Sequence, residues 1–292
     1  RTDTYIDKES MINEEIDRLR HAATQALLAR KDVIVVASVS CIYSIGSPEW
    51  YERASFGIER GQTLLRSDIL RTFIAMQYTR TQSDLTRGTF RLRGQVLEIM
   101  PPHFDTIYRI EMAGQEVRRI EETDPVSRKV REDLPRILLF PTKHFVTPKP
   151  EVDRAIRDIR AELKDQLGHF KKEGKLLEIE RLERRTKFDL EMIKEVGYCH
   201  GVENYSRHFE GRAPGAPPQT LLEYFSKNNG SDWLLVVDES HVTIPQVGGM
   251  YEGDKARKKT LVEYGFRLPS AMDNRPLKFT EFEARMPQMI YL

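Results

Sequence analysis

Two adjacent carboxylates, Asp238 and Glu239, directly follow the apolar residues 234–237 in the stretch LLVVDESH. Such a run predicts a buried strand, and open α/β sheets bind ligands at the carboxyl ends of their strands. There, Asp238 can hold Mg²⁺ through water while Glu239 polarises a water molecule that attacks a phosphoryl group. The alternative is an ordinary turn that contains two acidic residues. His241 and the polar loop predicted over 243–253 favour the hydrolytic interpretation.

Hydrolysis of a nucleoside triphosphate also needs a loop that holds the phosphates, with the pattern G-x-x-x-x-G-K-[ST]. The segment nearest to this pattern is GGMYEGDK at residues 248–255, in which Asp254 stands between Gly253 and Lys255. A carboxylate repels phosphate, and no hydrophobic strand leads into the segment. We therefore reject it, and the sequence predicts no phosphate loop in this chain.

A group of arginines lies on one face of a predicted sheet. Apolar and polar residues alternate within the segments 88–100, 107–112 and 116–121, which predicts an antiparallel sheet with one solvent-facing side. The residues expected on that side are Arg91, Arg93, Arg109 and Glu111, with Arg80 nearby. Because Glu111 is the only evident counter-charge, the patch suits an acidic protein partner or a phosphate backbone. The alternative is a solvated sheet face without a partner.

Aromatic and basic residues also occur together in YCHGVENYSRH, residues 198–208. Tyr205 and Arg207 are of the types that stack on bases and contact phosphates, although a packed loop is the alternative that the residues alone favour. Cys199 and His200 are adjacent, but no second pair completes a tetrahedral metal site.

Composition limits the class of protein more than it identifies a partner. The 292 residues predict about two domains, and 46 lysines and arginines against 45 acidic residues predict no partner by net charge. The two cysteines, Cys41 and Cys199, are far apart and predict no disulfide framework. Neither a signal peptide nor a membrane-spanning run is evident, so we expect a cytoplasmic protein with no membrane partner.

Three further elements should position these groups. Ser10 is expected to cap a helix with an apolar stripe, formed by Ile12, Ile16, Leu19, Ala23 and Leu27. The β-branched run at 33–37 predicts a strand buried on both faces of a parallel sheet. The apolar pattern over 151–196, interrupted at Gly174, predicts two antiparallel helices.

Four segments together resemble the UvrB family, the damage-verifying subunits of the bacterial excinuclease. They are ARKDVIVVASVSCIY (29–43), RGTFRLRGQVLEIMP (87–101), GYCHGVENYSRH (197–208) and VVDESHVTIPQVGGMYEGDKARKKTLVEYGFRLPSAMDNRPL (236–277). The resemblance covers essentially the whole chain. It implies an α/β fold: an incomplete RecA-like helicase lobe with an inserted mixed α/β UvrA-binding domain and a helical, hairpin-bearing domain. A local departure is Ser44-Ile45-Gly46, where the family usually has Gly-Leu-Gly.

The resemblance also implies a division of the chain. Residues 1–12 would be the second half of a DNA-probing β-hairpin, 13–50 and 231–292 parts of the first motor lobe, 51–147 the UvrA-binding domain and 148–230 the helical domain. The chain would then be the middle of such a protein, without its phosphate loop or second motor domain.

The resemblance assigns roles to individual residues. It implies catalytic roles for Asp238, Glu239 and His241, with Asp238 as the metal ligand; DNA contacts for Tyr5, Lys8, Arg20, Tyr205 and Arg207; and UvrA contacts for Arg80, Arg91, Arg93, Arg109 and Glu111. The implied cofactors are ATP and Mg²⁺, and the implied partners are UvrA, damaged DNA and the UvrC nuclease.

Two activities are compatible with this resemblance. The chain would either contribute to an ATP-dependent subunit that loads on damaged DNA, or bind UvrA without turnover. Without a phosphate loop, we expect it to show no ATP hydrolysis alone. A non-catalytic UvrA-binding module, such as that of the transcription-repair coupling factor, is the alternative; the intact DESH sequence argues against it.

Overall fold

The structure is a computed structural model that describes residues 14–292. The expected half-hairpin at 1–12, including Tyr5 and Lys8, lies outside the described residues. The predicted mixed α/β class is confirmed. Within the described part of the chain, no helix is both long and apolar enough to cross a lipid bilayer.

The helices and strands are spread over the whole described chain. The helices are α1 (Glu14–Ala29), α2 (Pro48–Arg53), α3 (Arg66–Ala75), α4 (Lys149–Lys172), α5 (Leu176–Val196), α6 (Ser206–Glu210), α7 (Leu221–Asn229), α8 (Ser240–Glu263) and α9 (Phe279–Glu283). The strands are β1 (Phe56–Glu59), β2 (Thr79–Arg80), β3 (Thr89–Arg93), β4 (Val96–Met100), β5 (Ile107–Ala113), β6 (Glu116–Thr123), β7 (Val130–Asp133), β8 (Arg136–Leu139), β9 (Leu235–Val237) and β10 (Met289–Tyr291). Short 3₁₀ helices cover Val39–Ile42, Val202–Tyr205 and Pro269–Asp273.

A six-stranded sheet in the order β2-β3-β4-β5-β6-β7 dominates the first half of the described chain. All neighbouring strands are antiparallel except β2 and β3. The predicted alternation is confirmed, since Phe90, Leu97 and Ile110 are buried in one core with Phe73 of α3. The segment 88–100 is two strands joined by a tight turn, at which Gly94 adopts a positive φ of 60° that favours glycine.

The two predicted antiparallel helices are α4 and α5, and they pack against each other. Gly174 lies in the connection between them with a φ of 72°, a left-handed conformation that ends the first helix. The apolar stripe of α4, including Ile159, Leu163 and Phe170, is buried against Leu182 of α5. This region therefore follows the helical periodicity of its sequence.

A smaller α/β unit is formed by the last part of the described chain together with residues 39–42. Strand β9 pairs in parallel with β10, and the adjacent core contains Trp233, Val247, Leu277 and Phe282. Helix α8 begins directly after β9. Its far end contacts α5, where Arg181 donates a hydrogen bond to the carbonyl oxygen of Tyr264 at 2.7 Å.

The strand predicted at 33–37 is wrong. This segment has no regular secondary structure, and Ile34 and Val36 are 94% and 97% exposed while Val33 and Val35 are partly buried. A strand needs a hydrogen-bonded neighbour, and no strand among residues 14–292 pairs with this segment. The segment therefore stays extended with one face on the core.

The apolar stripe predicted for α1 is also wrong in part. Ile16 and Leu19 are more than half exposed, whereas His21, Thr24 and Gln25 are buried. Leu27 alone of the described large apolar residues in the stripe reaches the core. Helix α1 thus packs through polar side chains that find hydrogen-bond partners, which a hydrophobic pattern does not detect.

Candidate functional sites

The solvent-facing side of the six-stranded sheet carries a row of alternating charges. The strand register places Arg91 of β3 opposite Glu98 of β4, Glu98 opposite Arg109 of β5, and Arg109 opposite Glu121 of β6. Arg91 Nε donates to Glu98 at 2.5 Å, and Arg109 Nη1 donates to Glu121 at 2.7 Å. We call Arg91, Glu98, Arg109 and Glu121 the charge ladder. Opposite charges on facing residues stabilise the pairing of neighbouring strands.

The ladder corrects the prediction that Glu111 is the only counter-charge on this face. Glu111 does contact Arg109, at 2.6 Å, but Glu98 and Glu121 are less exposed, at 16% and 1% against 35% for Glu111. Arg91 is buried and also donates to the carbonyl oxygen of Ser83. Arg91 and Arg109 are therefore neutralised within the domain and contribute little free positive charge.

Arg80 and Arg93 have the opposite character. Both are exposed, on the neighbouring strands β2 and β3, and no ion pair with a carboxylate forms at either within residues 14–292. Arg93 Nη2 donates only to the carbonyl oxygen of Gln82, at 3.1 Å. The uncompensated positive charge of the predicted arginine patch thus concentrates at one edge of the sheet.

The predicted hydrolytic residues lie where β9 meets α8. The strand is confirmed, but it is not fully buried, because Leu234 and Val236 are about half exposed. Glu239 has a φ of +47°, the left-handed conformation that a residue other than glycine adopts only when its surroundings enforce it. Its amide donates to the Asp238 carboxylate at 3.0 Å. The turn therefore directs two exposed carboxylates away from the strand.

The residues after the carboxylates are helical. The loop predicted at 243–253 is wrong, because α8 runs through it and also through the rejected phosphate-loop candidate at 248–255. His241 lies in the first turn of α8, with Nδ1 3.5 Å from a Glu239 oxygen. Glu239 thus contacts both Asp238 and His241.

Asp238 and Glu239 also line a cavity of about 810 Å³. The extended segment 33–42, strand β9 and the start of α8 form its walls, which are mainly apolar. Exposed carboxylates at the edge of such a cavity fit Mg²⁺, which is usually held by one or two carboxylates together with substrate phosphates. The donor set therefore suits a magnesium nucleotide, whereas the described residues supply no glycine-rich phosphate loop.

Two of the predicted DNA-contact residues are engaged in contacts within the protein. Tyr205 is buried, and its hydroxyl donates to Asp189 at 2.8 Å, so its ring has no free face for a base. Burial and the nearby Asp189 raise the pKa of Tyr205. Arg207 forms ion pairs with Asp273 at 2.9 Å and Glu162 at 3.2 Å. These contacts favour the packed-loop alternative for both residues, whereas Arg20 is exposed on α1.

A buried ion network, not expected from the sequence, surrounds Glu162. This carboxylate accepts from His208 at 2.6 Å and from the amide of Ser270 at 2.7 Å, in addition to Arg207. Burial raises the pKa of Glu162, but these hydrogen bonds and charges together have the larger effect. The net result is a pKa below the usual range. The network joins α4 to residues near the C-terminus. No local pattern could reveal it, because its members are distant in sequence.

Comparison with known proteins identifies two segments of the chain. Residues 56–145 match the UvrB interaction domain, and residues 150–211 match the UvrB third helical domain. The first match contains the six-stranded sheet and the charge ladder. The second contains α4, α5 and the buried residues around Tyr205.

Relatives named "UvrABC system protein B" resemble the chain over its entire length. The protein of Synechococcus sp. (strain JA-2-3B'a(2-13)) is 55% identical over 291 residues, and that of Carboxydothermus hydrogenoformans is 54% identical over 292. The protein of Methanobrevibacter smithii is 55% identical over 292 residues. In each case the match covers 100% of this chain but only 41–44% of the relative. The chain thus spans less than half the length of these relatives.

Proposed function

Because this chain belongs to the UvrB family, we propose that it acts in nucleotide excision repair by docking on UvrA and engaging damaged DNA. The observation that carries this proposal is the match of residues 56–145 to the UvrB interaction domain. Identity to UvrABC system protein B over the whole chain favours this role over the coupling-factor alternative.

The docking surface that we propose centres on Arg80 and Arg93. Exposed charges without an internal partner are available to acidic groups of another protein, and they accelerate association. Arg91 and Arg109 instead hold the sheet together through Glu98 and Glu121. Of the five residues first assigned to UvrA binding, Arg80 and Arg93 are therefore proposed as contact residues. Arg91, Arg109 and Glu111 are proposed to maintain the surface.

We propose that Asp238 and Glu239 contribute to a nucleotide site of the whole protein. Bound ATP with Mg²⁺ would supply phosphoryl-transfer chemistry. Asp238 would help to hold the ion, and Glu239 would orient water, with His241 beside it at the start of α8. The support for this assignment is the position of both carboxylates at the carboxyl end of β9 and in the cavity lining.

Engagement of DNA would involve Arg20, which is exposed on α1. This helix follows residues 1–13 directly, so Arg20 lies close in sequence to Tyr5 and Lys8. The proposed contact is with phosphate, for which arginine supplies charge and several donors.

Titration calorimetry of the chain with UvrA tests the docking surface. We expect the double variant Arg80→Gln/Arg93→Gln to weaken binding at least tenfold, about 1.4 kcal/mol, because two uncompensated charges are lost. The matched control is Arg71→Gln, an exposed arginine on α3 that pairs with Asp68 at 3.7 Å. Wild-type affinity should fall with added salt more steeply than that of the double variant. Equal affinities for the wild type and double variant would refute the assignment.

A further inference from the structure

Three side chains that could bind a metal converge where α1 meets the chain returning from the sheet domain. Asp17 and His21 are four residues apart on one face of α1, and His144 comes from the segment after β8. One ligand atom from each residue lies within 4.8 Å of the others. The His21 and His144 rings stack with centroids 4.0 Å apart.

We propose that Asp17, His21 and His144 bind a divalent transition-metal cation of the zinc class. Two imidazoles and one carboxylate are ligands that Zn²⁺ accepts, with water completing four-coordination. This site is separate from the cavity that Asp238 and Glu239 line, and it involves none of the residues assigned to UvrA.

The hydrogen bonds of Tyr51 prepare His21 for this role. The Tyr51 hydroxyl donates to the carbonyl oxygen of Pro141 at 3.1 Å and accepts from the Gln25 amide at 3.0 Å. His21 Nδ1 lies 2.9 Å from the same hydroxyl, so it donates its proton to the remaining lone pair. The lone pair of the ring is thereby placed on Nε2. Metal-binding histidines are typically oriented by such a hydrogen bond at their other nitrogen.

The Nε2 atom of His21 faces the carboxylate of Asp17. The distance from Nε2 to Asp17 Oδ2 is 3.9 Å, too long for a hydrogen bond. Burial, together with the nearby positive charges of Lys143 and Arg20, lowers the pKa of His21 to about 3. Two electron-pair donors therefore face each other, and the negative charge of Asp17 offsets the positive charges of Lys143 and Arg20.

Binding requires a small rearrangement of side chains. Ligand atoms on a tetrahedral zinc ion are about 3.4 Å apart, given metal–ligand distances of about 2.0–2.1 Å. Rotation of Asp17, whose side chain is 35% exposed, can close the present separations, and a metal on His144 Nε2 would replace its contact with the Thr24 hydroxyl at 3.1 Å. The ion would then fix α1 to the segment around residues 141–146, and so fix the sheet domain relative to the helix that follows residues 1–13.

Equilibrium dialysis of the chelator-treated chain against micromolar zinc tests this proposal. We expect one ion per chain, which Asp17→Asn should abolish; this variant keeps its shape on a partly exposed face of α1. Co²⁺ should give the visible absorption of a four-coordinate site with nitrogen and oxygen ligands. The matched control is His169→Gln, an exposed histidine beside Glu173 on α4, which should keep full stoichiometry.

A second variant tests the orientation of His21 without removing a ligand. Tyr51→Phe deletes one hydroxyl and should weaken zinc binding about tenfold, as other losses of supporting hydrogen bonds do. Circular dichroism confirms that each variant is folded. Absence of bound zinc in the wild type, or a bound ion that survives Asp17→Asn, would overturn the proposal. Thiolate absorption with Co²⁺ would overturn it too, because it would place the metal on a cysteine.

Discussion

The charge ladder makes a quantitative prediction at Glu121. This carboxylate is only 1% exposed, and it contacts Arg109 at 2.7 Å and Arg119 at 2.8 Å. The substitution Glu121→Gln keeps the shape of the side chain but removes the negative charge between two guanidinium groups. Removal of one partner from a buried ion pair typically costs about 3–5 kcal/mol.

The expected cost at Glu121 is lower than this range for a structural reason. Arg109 and Arg119 are 35% and 46% exposed, and they keep Glu111 and Asp133 as neighbours. Water and these carboxylates compensate part of the lost interaction, so we expect a loss of about 2–3 kcal/mol. In contrast, Glu111→Gln alters a carboxylate that is itself 35% exposed and should cost less than about 1 kcal/mol.

Amide hydrogen exchange of peptides from β4, β5 and β6 measures this difference locally, without assuming that the whole chain unfolds in one step. A loss of 2–3 kcal/mol raises the exchange rate of the protected amides about 30- to 160-fold, whereas the Glu111→Gln control raises it less than about fivefold. If the two variants exchange at the same rate, the ladder does not stabilise the sheet. The distinction between maintaining and contacting arginines would then fail.

Two further predictions concern the buried side chains of Tyr205 and His103. Tyr205→Phe should lower the free energy of unfolding in urea by about 1–2 kcal/mol, because the hydrogen bond to Asp189 is lost. DNA affinity in a fluorescence anisotropy titration should stay unchanged. Weaker DNA binding would instead support the DNA contact predicted from the sequence. Burial, and secondarily His21, lower the pKa of His103 from 6.5 to about 3, so the unfolded chain takes up a proton that the folded chain does not. Stability should therefore fall as pH drops from 6.5 towards 3, by about 1.4 kcal/mol per pH unit for this group. His103→Leu should reduce that slope by one proton, and an unchanged slope would contradict the buried neutral state.

The sequence predicted the sheet and the helix pair because their core contacts repeat with a regular period. Alternation placed Phe90 and Ile110 in the core, and Gly174 marked the break between α4 and α5. The predictions failed where long-range contacts decide. Whether Glu98 or Glu111 neutralises an arginine depends on strand register, which alternation alone does not reveal.

Residue type was a poor guide to exposure. Tyr205 and Arg207 have the chemistry of nucleic-acid contacts, but Asp189, Asp273 and Glu162 satisfy them internally. The reverse error occurred at 33–37, where a β-branched run predicted burial and the structure leaves alternate side chains exposed. In both cases exposure depends on which residues, distant in sequence, pack against the segment.

Helix α8 links the carboxylate pair of residues 238–239 with the helical hairpin of α4 and α5. It begins beside Asp238 and Glu239 and, with 24 residues, extends about 36 Å. At its far end a β-carbon on Gly265 would lie 2.6 Å from the carbonyl oxygen of Glu178, so the chain there is in close contact with α5. A tilt of about 5° at the carboxylate end would displace the other end by about 3 Å, given this length. A change in the orientation of α8 at the carboxylate pair would therefore also shift its contacts with the helical hairpin of α4 and α5.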